Sequence, residues 1–387
     1  MGGRSPDRNL AQGEALAKGY VFAAAGTAGH IYPAVAVAEA LLERGVDPSA
    51  VSFVTSRRKV EQEIFSTLPY PRIDLDVSGV RGRNPVRLAQ SLWRLAASTL
   101  RLRASFSQTH PAAVVVFGGY ISLAAAVAAR SLWIPIVVVE TNSVMGRANR
   151  FASRLATRTF RSFEEDRPGS GVPLRAPVIS FKPDLAMRRE LVASLGFDPD
   201  RVQRLVSVFG GSLGSRRINE AAVRMLEEDA AGATGEGTLY FVVLGRRDEA
   251  EFSPRLDRLA TEGKIKVVAR GYEERLYAFM ACSDAVVCRA GSNTVAELDF
   301  FGVPAVLVPL PGSPGDHQTK NASWLAGRGA AVMLGDAGCD ATSLRRALGE
   351  LGRKAASFET RQVGAAWERE ADSAAEVADY LGGHFAG

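Results

Sequence analysis

The chain has 387 residues, of which 47% are hydrophobic and 23% charged, a composition typical of globular proteins with two or three domains. Its net charge is +5, and its apolar runs are only as long as strands and are interrupted by Gly or Arg, which argues against a transmembrane span. The three cysteines show no CxxC spacing, which argues against a disulfide framework and against a cysteine zinc site.

The first half of the chain alternates apolar strands with helices. Residues 1–19 are polar, lack the apolar core of a signal peptide and are predicted to form a disordered tail. Apolar strands are then predicted at "YVFAAA", "AVSFVTS", "PAAVVVFGG" and "IPIVVVE", with helices between them. Unbroken apolar strands separated by helices indicate a parallel sheet that is covered on both faces. The sequence therefore predicts a doubly wound α/β domain over residues 20–170.

Two stretches of this half are rich in arginine and contain no acid. Residues 80–106 carry six Arg, and residues 143–163 carry five. In the first stretch leucines recur at helical spacing, which predicts a basic amphipathic helix over residues 85–105. Such a helix binds anionic lipid headgroups, binds nucleic acid or is an ordinary solvated face, and the pattern alone leaves these three possibilities open.

A segment rich in Pro, Gly and charge at residues 164–184 is typical of a linker between domains. After it the alternation restarts, with strands predicted at "LVSVFGG", "GTLYFVVLG", "KIKVVAR", "AVVCRAG" and "VPAVLVPL". We therefore predict a linker over residues 171–184 and a second doubly wound domain over residues 185–360. In such sheets ligands bind at the carboxyl ends of the strands, and two such domains that face each other form a cleft.

Glycine-rich turns between a strand and a helix are the clearest local signals. "AGTAGH" at 25–30 places a His where a turn needs none, while "FGGSLGSRRIN" at 209–219 and "CRAGSNTVAEL" at 288–298 open helices whose free N–H groups suit a phosphate. The Glu297 carboxylate can accept both hydroxyls of a ribose, and polar side chains in "PGSPGDHQTKNASWL" at 311–325 can bind sugar hydroxyls. An ordinary turn or helix cap explains each signal equally well, so no single turn decides the function.

The order of the motifs along the chain is more informative. The segments "AGTAGHIYPAVAVAEAL", "FGGY", "ETNSVMGRANR", "FGGSLGSRRIN", "VVCRAGSNTVAEL", "GVPAVLVPL" and "HQTKNA" together closely resemble the MurG family, over about residues 20–335. Enzymes of that family transfer N-acetylglucosamine from UDP-GlcNAc to lipid I, which makes lipid II for peptidoglycan. The resemblance implies a GT-B fold, in which two Rossmann-like α/β domains, one for the acceptor and one for the UDP-sugar, face each other across a cleft. It also implies that residues 361–387 form a helix that crosses back to the N-terminal domain.

The resemblance further implies roles for individual residues. His30 is the expected catalytic base, because the ordinary pKa of imidazole lies near neutrality and the reaction removes a proton from the 4-hydroxyl of the acceptor. The expected acceptor-binding residues are Thr27, Gly29, Tyr120, Glu140 and Asn142. The expected donor-binding residues are Gly211, Ser212 and Gly214 for the diphosphate, Gly291 at the next helix start, Glu297 for the ribose, and Gln318 and Asn321 for the GlcNAc.

The implied chemistry is an inverting displacement that uses no cofactor. We expect no metal requirement, because N–H groups at helix starts can stabilise the departing UDP. The arginine-rich stretches are then expected to dock the N-terminal domain, as a peripheral protein, on the anionic cytoplasmic face of the cell membrane, where lipid I resides. The expected membrane residues are Arg81, Arg83, Arg87, Trp93, Arg94 and Arg101. A nucleic-acid partner is not expected, because the basic stretches contain few interleaved aromatic residues.

The sequence also departs from the family pattern. The usual GGTGGH loop has alanine at Ala25 and Ala28, and alanine tolerates positive φ poorly. In the usual HEQN segment Thr141 replaces the Gln. The linker motif NPVR ends here in Ile179, so an arginine that contacts the diphosphate is missing, a loss that could lower the rate about 10²–10³-fold. The residues that could compensate for that loss are Arg175, Arg216 and Arg217.

These departures leave alternatives to a lipid II synthase open. One is a paralogue that glycosylates another prenyl-linked or secondary-metabolite acceptor. A second is a UDP-GlcNAc 2-epimerase, which has the same fold and turns over its substrate without an acceptor. A third is a non-catalytic family member, for which the loss of the linker arginine at Ile179 is the sole support.

Overall fold

A computed structural model of the chain describes residues 19–25, 28–66, 68–75, 85–163, 172–173, 183–211, 214–232, 237–354 and 373–385. The chain forms two compact units, one of residues 1–180 together with 371–387, the other of residues 181–370. The predicted tail at 1–19 lies outside the described residues except for Gly19, and the predicted linker at 171–184 is described only at 172–173 and 183–184.

The first unit is built on a parallel sheet of seven strands. In chain order the strands are β1 (Tyr20–Ala24), β2 (Val51–Ser56), β3 (Arg72–Leu75), β4 (Ala113–Gly118), β5 (Ile136–Glu140), β6 (Arg158–Arg161) and β7 (Val172–Pro173). Their order across the sheet is β3-β2-β1-β4-β5-β6-β7. The helices of this part of the chain are α1 (Ala28–Glu43), α2 (Lys59–Phe65), α3 (Pro85–Thr109), α4 (Gly119–Ser131) and α5 (Arg147–Ala152).

Helices cover both faces of this sheet. Along β1, Tyr20 and Phe22 pack into a core that includes α1, while Val21 and Ala23 pack into a second core that includes α3 and α4. Because successive strand residues point to opposite faces, a strand that is buried on both sides must be apolar throughout. This is the physical reason for the unbroken apolar runs in the sequence.

The second unit contains a parallel sheet of six strands in the order β10-β9-β8-β11-β12-β13. The strands are β8 (Arg204–Phe209), β9 (Thr238–Val243), β10 (Lys266–Arg270), β11 (Ala285–Cys288), β12 (Ala305–Leu307) and β13 (Ala331–Met333). The helices are α6 (Leu185–Ser194), α7 (Arg216–Ala231), α8 (Glu249–Thr261), α9 (Leu276–Cys282), α10 (Ser292–Phe300), α11 (His317–Gly327) and α12 (Ala341–Lys354).

The last described helix, α13 (Ser373–Phe385), belongs to the first unit. It packs against α1, and its Val377, Ala378 and Leu381 are buried in the same core as that helix. The hydroxyl of Tyr20 donates a hydrogen bond to the carbonyl oxygen of Leu381 at 3.2 Å. The chain therefore leaves the first unit after β7 and returns to it in α13.

Both sheets have the same doubly wound order. In each, the first and fourth strands of the unit lie side by side, β1 beside β4 and β8 beside β11, and the chain winds outward in both directions from that point. Loops diverge there at the carboxyl ends of the strands, which is where open α/β sheets bind ligands. The prediction of two doubly wound Rossmann-like units is confirmed.

The second arginine-rich stretch is not one continuous helix. Within residues 143–163, α5 covers only Arg147–Ala152, and the chain then enters β6. Three arginines of this stretch therefore lie in the turn after α5 or in the strand rather than on a continuous basic helix face. None of the described helices is long and apolar enough to cross a bilayer.

Candidate active site

His30 lies in the first turn of α1, at the carboxyl end of β1. Its Nδ1 is 3.1 Å from the carbonyl oxygen of Ala25. A carbonyl oxygen only accepts hydrogen bonds, so we assign the proton of the neutral ring to Nδ1, which makes Nε2 the basic nitrogen. In this tautomer the lone pair of Nε2 can accept a proton.

Gly118, at the end of β4, lies against the His30 ring. Its φ of 121° and ψ of 176° fall in a region that is essentially restricted to glycine. A Cβ atom at this position would lie 2.8 Å from Nε2 of His30 and 3.6 Å from Nδ2 of Asn149. The hydroxyl of Ser122 accepts the N–H of Gly118 at 2.8 Å and holds the turn. The glycine thus places the imidazole and the Asn149 amide side by side.

We predict that Gly118→Ala disturbs the site more than the fold. The backbone strain is expected to cost about 1–3 kcal/mol of unfolding free energy. The added methyl group also displaces the His30 ring, and misplacement of about 1 Å is expected to lower transfer about 100-fold. A melting curve and a transfer assay measure the two effects.

The matched control is Gly45→Ala, because Gly45 has a φ of 85° in the same unit but no atom within 4 Å of its Cβ position. It should destabilise the protein without slowing transfer per folded molecule. Equal activity losses in the two variants would contradict the contact argument.

The carboxylate of Glu140, at the end of β5, is buried and organises the following loop. One oxygen accepts the backbone N–H of Asn142 at 2.9 Å and its side-chain amide at 3.1 Å. The other accepts the N–H of Gly146 and the side-chain amide of Asn149, both at 3.0 Å. Glu140 therefore fixes the position of Asn142 through bonds made within its own loop.

The predicted acceptor residues are thus brought to the ends of three neighbouring strands. His30 follows β1, Tyr120 is 41% exposed on the first turn of α4 after β4, and Asn142 follows β5. Gly29 precedes His30 on α1, whereas Thr27 lies outside the described residues. Sequence analysis did not assign Gly118 or Asn149 to the site. The paired glycines of "FGGY" are a signal for the first, and Asn149 lies within the quoted motif "ETNSVMGRANR".

In the second unit, a tight turn joins β8 to α7. The N–H of Gly214 donates to the carbonyl oxygen of Gly211 at 2.9 Å, and both residues have positive φ. A Cβ on Gly211 would meet no atom within 4 Å, so the turn is open on that side. Ser215 precedes α7 without a side-chain capping bond. Ser212 lies outside the described residues.

Arg216, which follows this turn, forms ion pairs with two carboxylates. The guanidinium of Arg216 lies 2.6–2.7 Å from both oxygens of Glu251 and 2.9 Å from Glu220. It is therefore a poor candidate to replace the arginine missing at Ile179. Ile179 and Arg175 lie outside the described residues, and Arg217 is exposed on the first turn of α7.

Glu297 lies on α10, which begins after Gly291 without a side-chain cap. Its side chain is largely buried, and burial raises the pKa of Glu297 to about 8. The thiol of Cys288 nearby is fully buried, and burial also raises its pKa. A raised pKa favours the protonated form of Glu297 in the unliganded protein.

Gln318 and Asn321 lie on α11 and contact the loops around them. Oε1 of Gln318 accepts the N–H of Leu310 at 2.9 Å. Nδ2 of buried Asn321 donates to the carbonyl oxygen of Ala290 at 3.1 Å, which ties α11 to the start of α10. The predicted donor residues that are described therefore lie at the carboxyl ends of β8, β11 and β12, which are neighbours in the sheet.

The matches to known families divide the chain in the same way as its two units. Residues 20–161 match the glycosyltransferase family 28 N-terminal domain, and residues 205–377 match the glycosyltransferase family 28 C-terminal domain. The chain belongs to glycosyltransferase family 28. It is a glycosyltransferase, and the resemblance to MurG is confirmed by its relatives.

Two such relatives carry the name UDP-N-acetylglucosamine--N-acetylmuramyl-(pentapeptide) pyrophosphoryl-undecaprenol N-acetylglucosamine transferase. The protein of Ectopseudomonas mendocina is 33% identical over 85% of this chain and 88% of its own length. The protein of Nitratidesulfovibrio vulgaris is 34% identical over 92% of this chain and 94% of its own length.

Solved structures agree with the family assignment. The crystal structure of Acinetobacter baumannii MurG matches with a TM-score of 0.70 and 26% identity, over 94% of this chain and 99% of that one. The glycosyltransferase of kitacinnamycin matches with a TM-score of 0.62 but only 16% identity, over 95% of this chain and 99% of that one, so it is similar in fold alone. The family 28 chain therefore has the two Rossmann-like units of a GT-B glycosyltransferase.

Proposed function

We propose that this family 28 enzyme transfers N-acetylglucosamine from UDP-GlcNAc to the 4-hydroxyl of the MurNAc residue of lipid I, which yields lipid II for peptidoglycan synthesis. One observation carries the proposal. Relatives that are named for this activity are 33–34% identical to the chain, and the similarity extends over both units. The geometry of each unit supports it, because the first presents a basic imidazole and the second presents helix starts and a buried carboxyl group.

In the proposed reaction Nε2 of His30 takes the proton of the acceptor 4-hydroxyl. The oxygen attacks the anomeric carbon of GlcNAc as the bond from that carbon to UDP breaks, so the configuration inverts and the electron pair leaves with UDP. The resulting imidazolium is stabilised by the Ala25 carbonyl oxygen that accepts from Nδ1. N–H groups at the starts of α7 and α10, which carry no side-chain caps, stabilise the charge on UDP.

The proposed reaction needs no metal ion, because these N–H groups supply the stabilisation of the leaving group. In the described part of the chain, no three His, Cys, Asp or Glu residues cluster as a metal site would require. Transfer in the presence and absence of a chelator tests this part of the proposal. A rate that falls with EDTA and returns with added Mg²⁺ or Mn²⁺ would contradict it.

The test of the function is transfer from labelled UDP-GlcNAc to a short-chain lipid I analogue, with a lane that lacks the acceptor and with a Glu297→Ala control. Labelled lipid product that depends on the acceptor and is lost in the variant supports a lipid II synthase. Conversion of UDP-GlcNAc without acceptor would instead indicate an epimerase. UDP-GlcNAc binding with no product would point to another acceptor or to a non-catalytic protein.

The outer face of α3 supports a second part of the proposal. Val86, Trp93 and Leu100 recur every seven residues and are 63%, 72% and 67% exposed. Arg94 and Arg101 directly follow two of them and are exposed as well. Seven residues make almost two helical turns, so an apolar column and a basic column run side by side along the helix. Exposed apolar residues beside arginines are typical of a helix that lies on an anionic membrane.

We therefore propose that α3 docks the first unit on the cytoplasmic face of the cell membrane, where an acceptor with a long lipid chain would reside. Of the predicted membrane residues, Trp93, Arg94 and Arg101 lie on this face. Arg81 and Arg83 lie outside the described residues, and of Arg87 only the backbone is described.

Replacing both Arg94 and Arg101 with Gln should weaken binding to vesicles of anionic phosphatidylglycerol about 30-fold, since each arginine near such a surface contributes about 1 kcal/mol. The control replaces Arg201 and Arg224 of the second unit, which are exposed as well, and so gives the same net charge. Co-sedimentation measures the binding. Equal losses in both double variants would show a net-charge effect and contradict docking through α3.

A further inference from the structure

Arg289 joins the loops that precede α10 and α11, the helices that carry Glu297, Gln318 and Asn321. It directly follows β11 and is mostly buried, with 13% of its side chain exposed. Its NH1 donates to the carbonyl oxygens of Val308 and Pro309 at 3.1 and 3.2 Å. Those carbonyls lie immediately after β12, so the guanidinium fixes the start of the loop between β12 and α11.

Asp336 completes the arrangement from a third segment. Its carboxylate lies 2.6 Å from the same NH1 group, and 21% of its side chain is exposed. The two carbonyls take the hydrogen bonds of NH1, and Asp336 supplies a negative charge beside it. Asp336 is therefore well placed to hold the Arg289 guanidinium in position. Without this carboxylate, a largely buried positive charge would lie there without compensation.

After Val308 and Pro309, which are buried, the loop held by Arg289 has little apolar packing of its own. Leu310 is 44% exposed, and a Cβ on Gly312 would meet no atom within 4 Å. Polar contacts therefore position the exposed part of this loop. One of these is decisive for the site, because the N–H of Leu310 donates to Oε1 of Gln318 at 2.9 Å.

This last bond fixes the orientation of the Gln318 amide. An N–H group can only donate, so the atom that faces Leu310 must be the carbonyl oxygen of the amide. The NH₂ group of Gln318 then points to the other side. In this position Gln318 presents a hydrogen-bond donor, which suits an oxygen acceptor on a ligand.

We propose that Arg289 and Asp336 are positioning residues that determine the recognition of the sugar, because they place the Leu310 N–H that orients Gln318. The inference rests on the proposed use of a UDP-sugar. It predicts that loss of the ion pair weakens the interaction with the sugar part of the ligand and leaves the interaction with the UDP part unchanged.

The test compares the affinities for UDP-GlcNAc and for UDP by calorimetry in Arg289→Lys, Asp336→Asn and Gln318→Glu. In each variant the affinity for UDP-GlcNAc should fall about tenfold, the contribution of one well-placed hydrogen bond, while that for UDP changes less than about twofold. Gln318→Glu keeps an acceptor for Leu310 but has no NH₂ group. The matched control is Asp200→Asn, which breaks the exposed ion pair with Arg189 in the same unit.

A double variant separates positioning from general stability. If Arg289 acts through Gln318, then Arg289→Lys should cost much less in a Gln318→Glu background than in the wild type. Additive losses, or equal losses for UDP and UDP-GlcNAc, would overturn the inference. A chain that fails to glycosylate lipid I but shows the expected change in the ratio of affinities would refute the proposed acceptor and leave this inference standing.

Discussion

Replacing His30 with Ala is expected to lower the rate of transfer about 10³-fold, within the range that general bases contribute, and to leave the affinity for UDP-GlcNAc unchanged. The Nε2 atom of this ring is its basic nitrogen, because Nδ1 donates a hydrogen bond to the carbonyl oxygen of Ala25. The residues proposed to bind the UDP-sugar belong to the second unit, so the variant should not disturb them. Single-turnover rates at saturating acceptor and calorimetry with UDP-GlcNAc measure the two quantities.

The sharper variant is His30→Gln. Glutamine can still donate to the carbonyl oxygen of Ala25 and fill most of the space beside Gly118, but it has no basic atom. It should therefore fold like the wild type and lose as much activity as the alanine variant. A glutamine variant with activity near that of the wild type would show that His30 shapes the loop and that another group accepts the proton.

The sequence predicted the central strands of both sheets well. β1, β4, β5 and β8 begin or end within two residues of their predictions, because strands buried on both faces must be apolar throughout. β3, β6, β7 and β13 were not predicted. β3 reads "RIDL" and lies at the sheet edge, and β6 reads "RTFR" with Arg158 exposed, so partly exposed strands with charged residues give no such apolar run.

The orientation of α3 shows a second limit of prediction from the sequence. Leucines at helical spacing correctly predicted an amphipathic helix, but Leu88 and Leu92 of that stripe are exposed, while Leu102 is fully buried together with Phe106. The helix has apolar residues on more than one side. Periodicity detects such columns but cannot tell which of them packs on the sheet, since that depends on the neighbouring helix α4.

Sequence motifs located the glycine turns and Glu297 of the candidate site. They did not predict the protonation or the orientation of the side chains there. The tautomer of His30 depends on the Ala25 carbonyl, and the position of its ring depends on Gly118, which is 88 residues away in the sequence. The orientation of Gln318 similarly depends on a loop fixed by Arg289 and Asp336. Such properties arise from contacts between distant segments, which no local pattern contains.

Binding of UDP-GlcNAc should release a proton from Glu297 and become tighter as the pH rises. Burial raises the pKa of this carboxyl to about 8, so the unliganded protein is mainly protonated below that value. Two ribose hydroxyls that donate to the carboxyl group favour its ionised form. If the ligand binds the ionised form alone, the affinity should increase about 50-fold between pH 6 and pH 8 and level off above.

Calorimetry in two buffers of different ionisation enthalpy measures the released proton directly. UDP-GlcNAc is a suitable ligand because its diphosphate is a diester and does not titrate in this range. Burial raises the pKa of the neighbouring Cys288 thiol, so that group stays protonated and contributes no charge change. In Glu297→Gln the pH dependence and the proton release should both vanish, and binding at pH 8 should be weaker than in the wild type.

The same carboxyl group should make the unliganded fold less stable as the pH rises from about 4.5 to about 8. The folded protein holds a proton on Glu297 up to about pH 8, while the unfolded chain releases it near the ordinary value of 4.5. The protein therefore loses stability as the pH rises through that interval, and Glu297→Gln, which has no charge to bury, should melt at a higher temperature than the wild type at pH 9 but not at pH 4. A variant that is stabilised at neither pH and binds UDP-GlcNAc with an unchanged pH profile would show that Glu297 is ionised throughout. The ribose would then bind a carboxylate that is already charged, and the affinity would depend on pH through some other group.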